Sequence, residues 1–213
     1  MKIKEIVKGY PYKPEKGCFG FSTIVLVKHK KNILFDTGGY NLRNTLAPLI
    51  NNIDCVVISH LHFDHCSNLD MFIQRKTPIY ISKKEFIYYE KYNNKDLDLF
   101  SYFQLIKDRL NIILVENEIV IDDNVKIVPT PGHTPGHISL EIKENNIKTI
   151  VAGDSIKSYK DYVNINNYDN AYNKEEYIKT KKIIVNKYNV VYPGHDGKII
   201  NGKSSNKMKV SEF

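Results

Sequence analysis

Residues 54–65, Asp-Cys-Val-Val-Ile-Ser-His-Leu-His-Phe-Asp-His, constrain this chain more than any other stretch. The apolar run 55–58 reads as a short buried strand that runs out into His60, His62, Asp64 and His65. The chain has seven histidines in 213 residues, and three of them fall between positions 60 and 65. On a helix, His60 and His62 would point to nearly opposite sides, so one ion could not bind both. On a loop leaving a strand, the four side chains can converge. Imidazole and carboxylate together suit zinc, iron or another transition metal.

The same pattern recurs along the chain. Ile33-Leu34-Phe35 is followed by Asp36. Ile127-Val128 leads through Pro129-Thr130-Pro131-Gly132 to His133. Ile150-Val151-Ala152-Gly153 leads to Asp154, and Val190-Val191-Tyr192-Pro193-Gly194 leads to His195. Each time an apolar strand ends in a turn that carries a residue of metal-ligand type. Ligand sites in α/β sheets gather beyond the carboxyl ends of strands.

A chain of this length can bury one sizeable core, and its 42% hydrophobic and 26% charged content is ordinary for a globular protein. No apolar run is long enough to span a bilayer, and no N-terminal stretch has the pattern of a secretory signal. The three cysteines (Cys18, Cys55, Cys66) show no paired spacing and fit a reduced, cytoplasmic chain. The net charge of +7 comes from 31 basic and 24 acidic residues. The lysines are scattered and only Arg43, Arg75 and Arg109 are arginines, so a solvated surface is favoured over a nucleic-acid partner.

Residues 1–8 alternate as an edge strand does, and 9–20 read as a loop rich in Pro and Gly. Strands over 21–27 and 32–35 form an expected hairpin. Leucines at 42, 46 and 49 are at helical spacing. A strand at 78–81 precedes Ser82-Lys83-Lys84-Glu85, a capping box that opens a helix to about residue 92. A second helix is expected over 99–110. Strands follow at 112–115, 118–121, 126–129, 138–142, 148–152 and 190–192, with a short edge strand at 198–200. Asn173 and Glu176 open a helix to residue 188. No low-complexity linker divides the chain. It reads as a single domain over 1–213, with 83–110 a helical insert packed on the core and 201–213 a polar tail.

Four motifs, His-x-His-x-Asp-His at 60–65, Gly-His-Thr at 132–134, Gly-Asp at 153–154 and Gly-His at 194–195, resemble the metallo-β-lactamase superfamily of hydrolases. They stand in the family's order. The resemblance implies an α+β fold, a four-layer αββα sandwich of two mixed sheets flanked by helices, with two divalent metal ions at one edge. Zinc is the first expectation, with iron or manganese as alternatives. Carried over residue by residue, one ion would take His60, His62 and His133, and the other Asp64, His65 and His195. Asp154 would bridge them, Asp64 and Asp154 would serve catalysis, and Asp36 would hold a ligand imidazole by its far nitrogen.

The expected reaction is attack on a small ester, lactone or thioester by a hydroxide held between the ions. The stretch 59–63 resembles the N-acyl homoserine lactonases, whose catalytic Tyr stands closer to the bridging Asp than Tyr159 does here. Residues 64–69 with Phe72 resemble the compact metallo-β-lactamase domain-containing proteins, some of them nucleases. The 196–213 stretch is too short for the helical glutathione-binding domain of glyoxalase II. A phosphodiesterase or nuclease on the same metals, a mononuclear-iron sulfur dioxygenase and a non-catalytic scaffold are the other readings. The expected partner is a small molecule. His137 is expected to be structural, His29 solvated, Cys66 a small buried residue, Asp196 a turn residue or a partner to a ligand, and Tyr159 near the site by chance.

Overall fold

The computed structural model describes residues 1–10 and 21–205. The expected loop at 11–20, with Cys18, and the tail beyond 205 lie outside the described residues. Two mixed sheets carry the described fold. The first has the order β1 (Lys2–Val7), β2 (Ile24–Lys28), β3 (Asn32–Phe35), β4 (Cys55–Val57), β5 (Pro78–Ser82), β6 (Asn111–Val115). The second runs β13 (Lys203–Ser204), β12 (Ile199–Ile200), β11 (Val190–Pro193), β10 (Ile147–Gly153), β9 (Ile138–Glu144), β8 (Val125–Pro129), β7 (Ile119–Asp122). Helices α1 (Arg43–Leu46), α2 (Phe63–Cys66), α3 (Lys83–Tyr92) and α4 (Phe103–Ile106) follow strands of the first sheet. Helices α5 (Tyr159–Val163) and α6 (Lys174–Lys187) lie between β10 and β11.

Period-two alternation assigns each strand's faces. In β2, Val25 and Val27 enter the apolar layer between the sheets, while Ile24 and Leu26 enter the layer outside the first sheet. In β4, Cys55 and Val57 face the interior and Val56 faces outward. Val151 of β10 and Tyr192 of β11 close the interior from the other side. Leu46 of α1, Tyr89 of α3 and Phe103 and Ile106 of α4 cover the outside of the first sheet. Ile184 of α6 and Tyr188 cover Ile150 and Ala152 outside the second. Three apolar layers separate four layers of structure, as in the expected sandwich.

Topology places the strand ends. β3, β4, β5 and β6 are mutually parallel, so residues after β3 and β4 emerge on one edge. β10 and β11 are parallel, and β8 shares their direction because both β8 and β10 pair antiparallel with β9. The turns after β8, β10 and β11 therefore share an edge too. Backbone bonds join the two edges: Ile138 N donates to Ser59 O at 3.0 Å and Thr23 N to Gly194 O at 2.7 Å.

Some local expectations change. Ser82 stands at the N-cap of α3 but makes no capping bond, and Glu85 turns into the core instead, so there is no capping box. The helix expected over 99–110 contracts to α4 and a 3-10 turn at Lys107–Arg109, because Leu99 pairs with His62. At the other end, Asn173 does cap α6, accepting from Glu176 N. Lys203–Ser204 of the expected tail pairs with β12. His29 is exposed, as expected, and its Nδ1 lies 2.9 Å from Asp122 Oδ1. Among the described residues, no helix is long and apolar enough to cross a membrane.

Candidate metal centre

Seven residues from four strand ends meet at the shared edge. The ligand atoms of His60, His62 and His133 lie within 4.8 Å of one another, as do those of Asp64, His65 and His195, and those of His60, His65 and Asp154. His62 Nδ1 faces His133 Nε2 at 3.2 Å. Asp154 faces both groups: its Oδ2 is 3.4 Å from His133 Nε2, and its Oδ1 is 3.3 Å from both His65 Nε2 and His195 Nε2. Asp64 Oδ2 stands 3.3 Å from His195 Nε2 and 3.6 Å from His65 Nε2.

The far nitrogens of four imidazoles are held by the protein, which fixes their tautomers. His65 Nδ1 donates to Asp36 Oδ2 at 2.8 Å, and His60 Nδ1 lies 2.9 Å from Ser59 Oγ, which itself donates to Asp36 at 2.8 Å. His133 Nδ1 donates to Asn170 O at 3.0 Å and His195 Nδ1 to Phe21 O at 3.2 Å. Each Nε2 is thereby left bare and turned toward the cluster. Among the described residues, His60 Nε2, His65 Nε2 and Asp154 Oδ1 are buried with no hydrogen bond. Buried polar atoms are normally satisfied, and bare ring nitrogens around a shared carboxylate form the donor set of a transition-metal site. The residues present fit a pair of ions.

The electrostatics divide the same way. Burial, reinforced by neighbouring imidazoles, holds the basicity of His60 well below its ordinary value; burial does the same to His133, against the pull of Asp154. Burial also opposes charge on His65, yet Asp64, Asp154 and Asp36 carry its pKa well above the ordinary value. For Asp154, burial is outweighed by His195 and His65, which hold its carboxyl well below the usual range.

The glycines of the motifs have separate reasons. A Cβ on Gly194 would stand 2.0 Å from Asp154 Oδ1. At Gly132 φ is +130°, and a Cβ would meet Tyr177 Cα of α6 at 2.3 Å. Asp36 takes φ 58°, uncommon outside glycine, to aim its carboxylate at Ser59 and His65.

Other residues fall outside the cluster. His137 accepts from Asp154 N at 3.1 Å through Nε2 and its Nδ1 lies 2.9 Å from Thr130 Oγ1, so it braces the Asp154 turn. Burial pushes its pKa down to about 3, as an acceptor imidazole requires. Tyr159 is not at the cluster: its hydroxyl donates to Gly202 O. Asp196 accepts from Tyr159 N and Gly197 N in a turn. Cys66 is buried and its thiol donates to His62 O.

Sequence reasoning missed three supports: Ser59 behind His60, Tyr177, whose hydroxyl donates to Asp154 O at 2.9 Å, and Glu85. Tyr177 lies four residues beyond the cap Asn173, on the face of α6 that meets the sheet, and that spacing was the available signal.

A two-sheet sandwich with a His/Asp cluster able to hold metal at one edge defines the class of fold to which this chain belongs. The profile of the metallo-beta-lactamase superfamily matches residues 17–195, and the chain belongs to that superfamily. It is 29% identical over 145 residues to an N-acyl homoserine lactonase of a Bacillus species, covering 66% of this chain and 55% of that protein. A protein of Methanocaldococcus jannaschii named as a probable metallo-hydrolase is 32% identical over 153 residues, covering 66% of this chain and 70% of the relative. Among solved structures, AidC, a dizinc quorum-quenching lactonase in complex with a product, superposes with a TM-score of 0.64 at 21% identity, covering 82% of this chain and 72% of its own. The chain thus spans little more than half the length of the Bacillus lactonase it matches.

Proposed function

We propose that this chain is a dinuclear metal-dependent hydrolase acting on a small ester, lactone or thioester. The observation that carries the reading is Asp154, whose two oxygens face the two imidazole groups separately. His60, His62, His133 and Asp154 Oδ2 would hold one ion, and Asp64, His65, His195 and Asp154 Oδ1 the other. The three-histidine site and the mixed carboxylate–imidazole site both suit zinc. Bound there, divalent ions supply Lewis-acid polarisation and lower the pKa of water to about 7.

The chain's own residues supply the rest. Asp36, Ser59, Asn170 O and Phe21 O lock His65, His60, His133 and His195 in the tautomer that presents Nε2. Asp64 has the more open carboxylate of the two, its side chain 25% exposed against 6% for Asp154. In this reading it would orient an attacking water and hold its proton. The lactonase names of the relatives make lactones the first substrates to try, and the free, buried Cys55 and Cys66 fit a cytoplasmic setting.

The test is elemental analysis with a zinc-, iron- or manganese-supplemented screen of acyl homoserine lactones, thioesters, phosphodiesters and RNA. Close to two ions per chain and turnover of a lactone or thioester are expected. A metal-free chain with full activity overturns the reading. Salt-sensitive RNA cleavage without ester turnover replaces it with the nuclease.

A further inference from the structure

Glu85 stands third in α3 and is fully buried. Its Oε1 accepts from Leu61 N at 3.0 Å, and its Oε2 accepts from Thr134 Oγ1 at 2.6 Å and Gly136 N at 3.2 Å. Leu61 lies between His60 and His62, and Thr134 follows His133. One carboxylate therefore joins the two loops that deliver all three imidazoles of the first ion's group. Gly136 leaves α3 room to approach, since a Cβ there would stand 2.0 Å from Glu85 N.

The same segment grips the His62 loop again. Phe63 N donates to Asp98 O at 2.9 Å, Phe100 N donates to Leu61 O at 2.9 Å, and His62 Nε2 lies 4.0 Å from Asp96 Oδ2. The second group is held from elsewhere: His65 by Asp36, His195 by Phe21 O, and the Asp64 carbonyl by Ser22 Oγ. Residues 83–110 make none of those bonds.

Packing does not call for a carboxylate at this place. Tyr89, Phe103 and Ile106 already seat α3 and α4 on the sheet, and burying a charged group is costly unless its lone pairs are filled. Burial raises the Glu85 pKa to about 7, against three hydrogen bonds that lower it. What the carboxylate adds is a fixed spacing between two loops.

We propose that Glu85 is a positioning residue for the first ion, setting the distance between the His60–His62 loop and the His133 loop while leaving the second ion's site alone. The proposal rests on the dinuclear reading above.

The experiment titrates metal-free wild type and Glu85→Gln with Co2+, followed by absorbance and calorimetry. His133→Ala and His195→Ala mark which binding step belongs to which ion, and melting of the metal-free proteins checks the fold. In Glu85→Gln, the step lost in His133→Ala should weaken by about 10–100-fold, the usual effect of an outer partner, and the step lost in His195→Ala should hold. Equal weakening of both steps, no weakening, or loss of the His195 step overturns the proposal. Should Glu85→Gln fail to fold, Thr134→Val removes one bond from outside the helix and carries the same comparison. A wild type that binds fewer than two ions sinks the dinuclear reading itself, whereas two ions with uniform weakening sinks only the role of Glu85.

Discussion

Asp154 and His133 come from turns after different strands of the second sheet, yet Oδ2 of one lies 3.4 Å from Nε2 of the other. Asp154 Oδ1 meanwhile faces His65 and His195. Asp154→Asn exchanges one of these oxygens for an N–H donor that points at bare nitrogens. Metal content should fall below two per chain, and turnover should drop by more than the about 10–100-fold typical of an outer partner. Unchanged stoichiometry and rate would reject the bridging role.

Asp36 acts one bond further out. Its Oδ2 takes His65 directly, and Ser59, which it also holds, lies against His60. Asp36→Asn should weaken metal binding by about 10–100-fold. It should also cost the metal-free protein about 1–3 kcal/mol for a spoiled buried hydrogen bond. Competition with a chelator and thermal melting measure the two effects separately.

Gly132 tests the backbone. With φ at +130° and Tyr177 Cα only 2.3 Å from where a Cβ would stand, Gly132→Ala should force α6 away from the His133 turn. A loss of at least about 1–3 kcal/mol is expected from strain alone. A melting temperature equal to wild type would show that α6 yields freely.

Acid should act away from the donor cluster. Glu141 is buried against Lys126, Lys143 and Lys187 and bonds Tyr188; Lys187, Tyr188 and Lys126 outweigh burial to bring its pKa from 4.5 to about 2. A lowered folded-state pKa gives stability that is complete above the unfolded value and is lost as pH falls. Wild type should therefore lose stability as pH drops from 4.5 toward 2, and Glu141→Gln should lose less over that interval. Denaturant melts at a series of pH values decide it.

Strand positions and the identity of the clustered residues were legible because both depend on short-range pattern. A run such as 55–58 ending in His60 shows both the strand and the donors after it. What stayed hidden depends on long-range contacts. Ser82 and Glu85 have the spacing of a capping box, but Leu61 N, Thr134 and Gly136 offer Glu85 more donors than the helix start does. Leu99 has helical spacing to Phe103, but its pairing with His62 holds it extended. His137 is structural, as expected, but its partner is a long-range one: only the fold shows its Nε2 facing Asp154 N.

The donors straddle the line where the sheets touch: His60, His62, Asp64 and His65 follow the first sheet's β4, and His133, Asp154 and His195 follow strands of the second. Any ion seated among them rivets one half of the sandwich to the other. Chelation should then loosen this seam first, visible as faster amide exchange at Thr23 and Ile138, while the interior far from the edge keeps its protection.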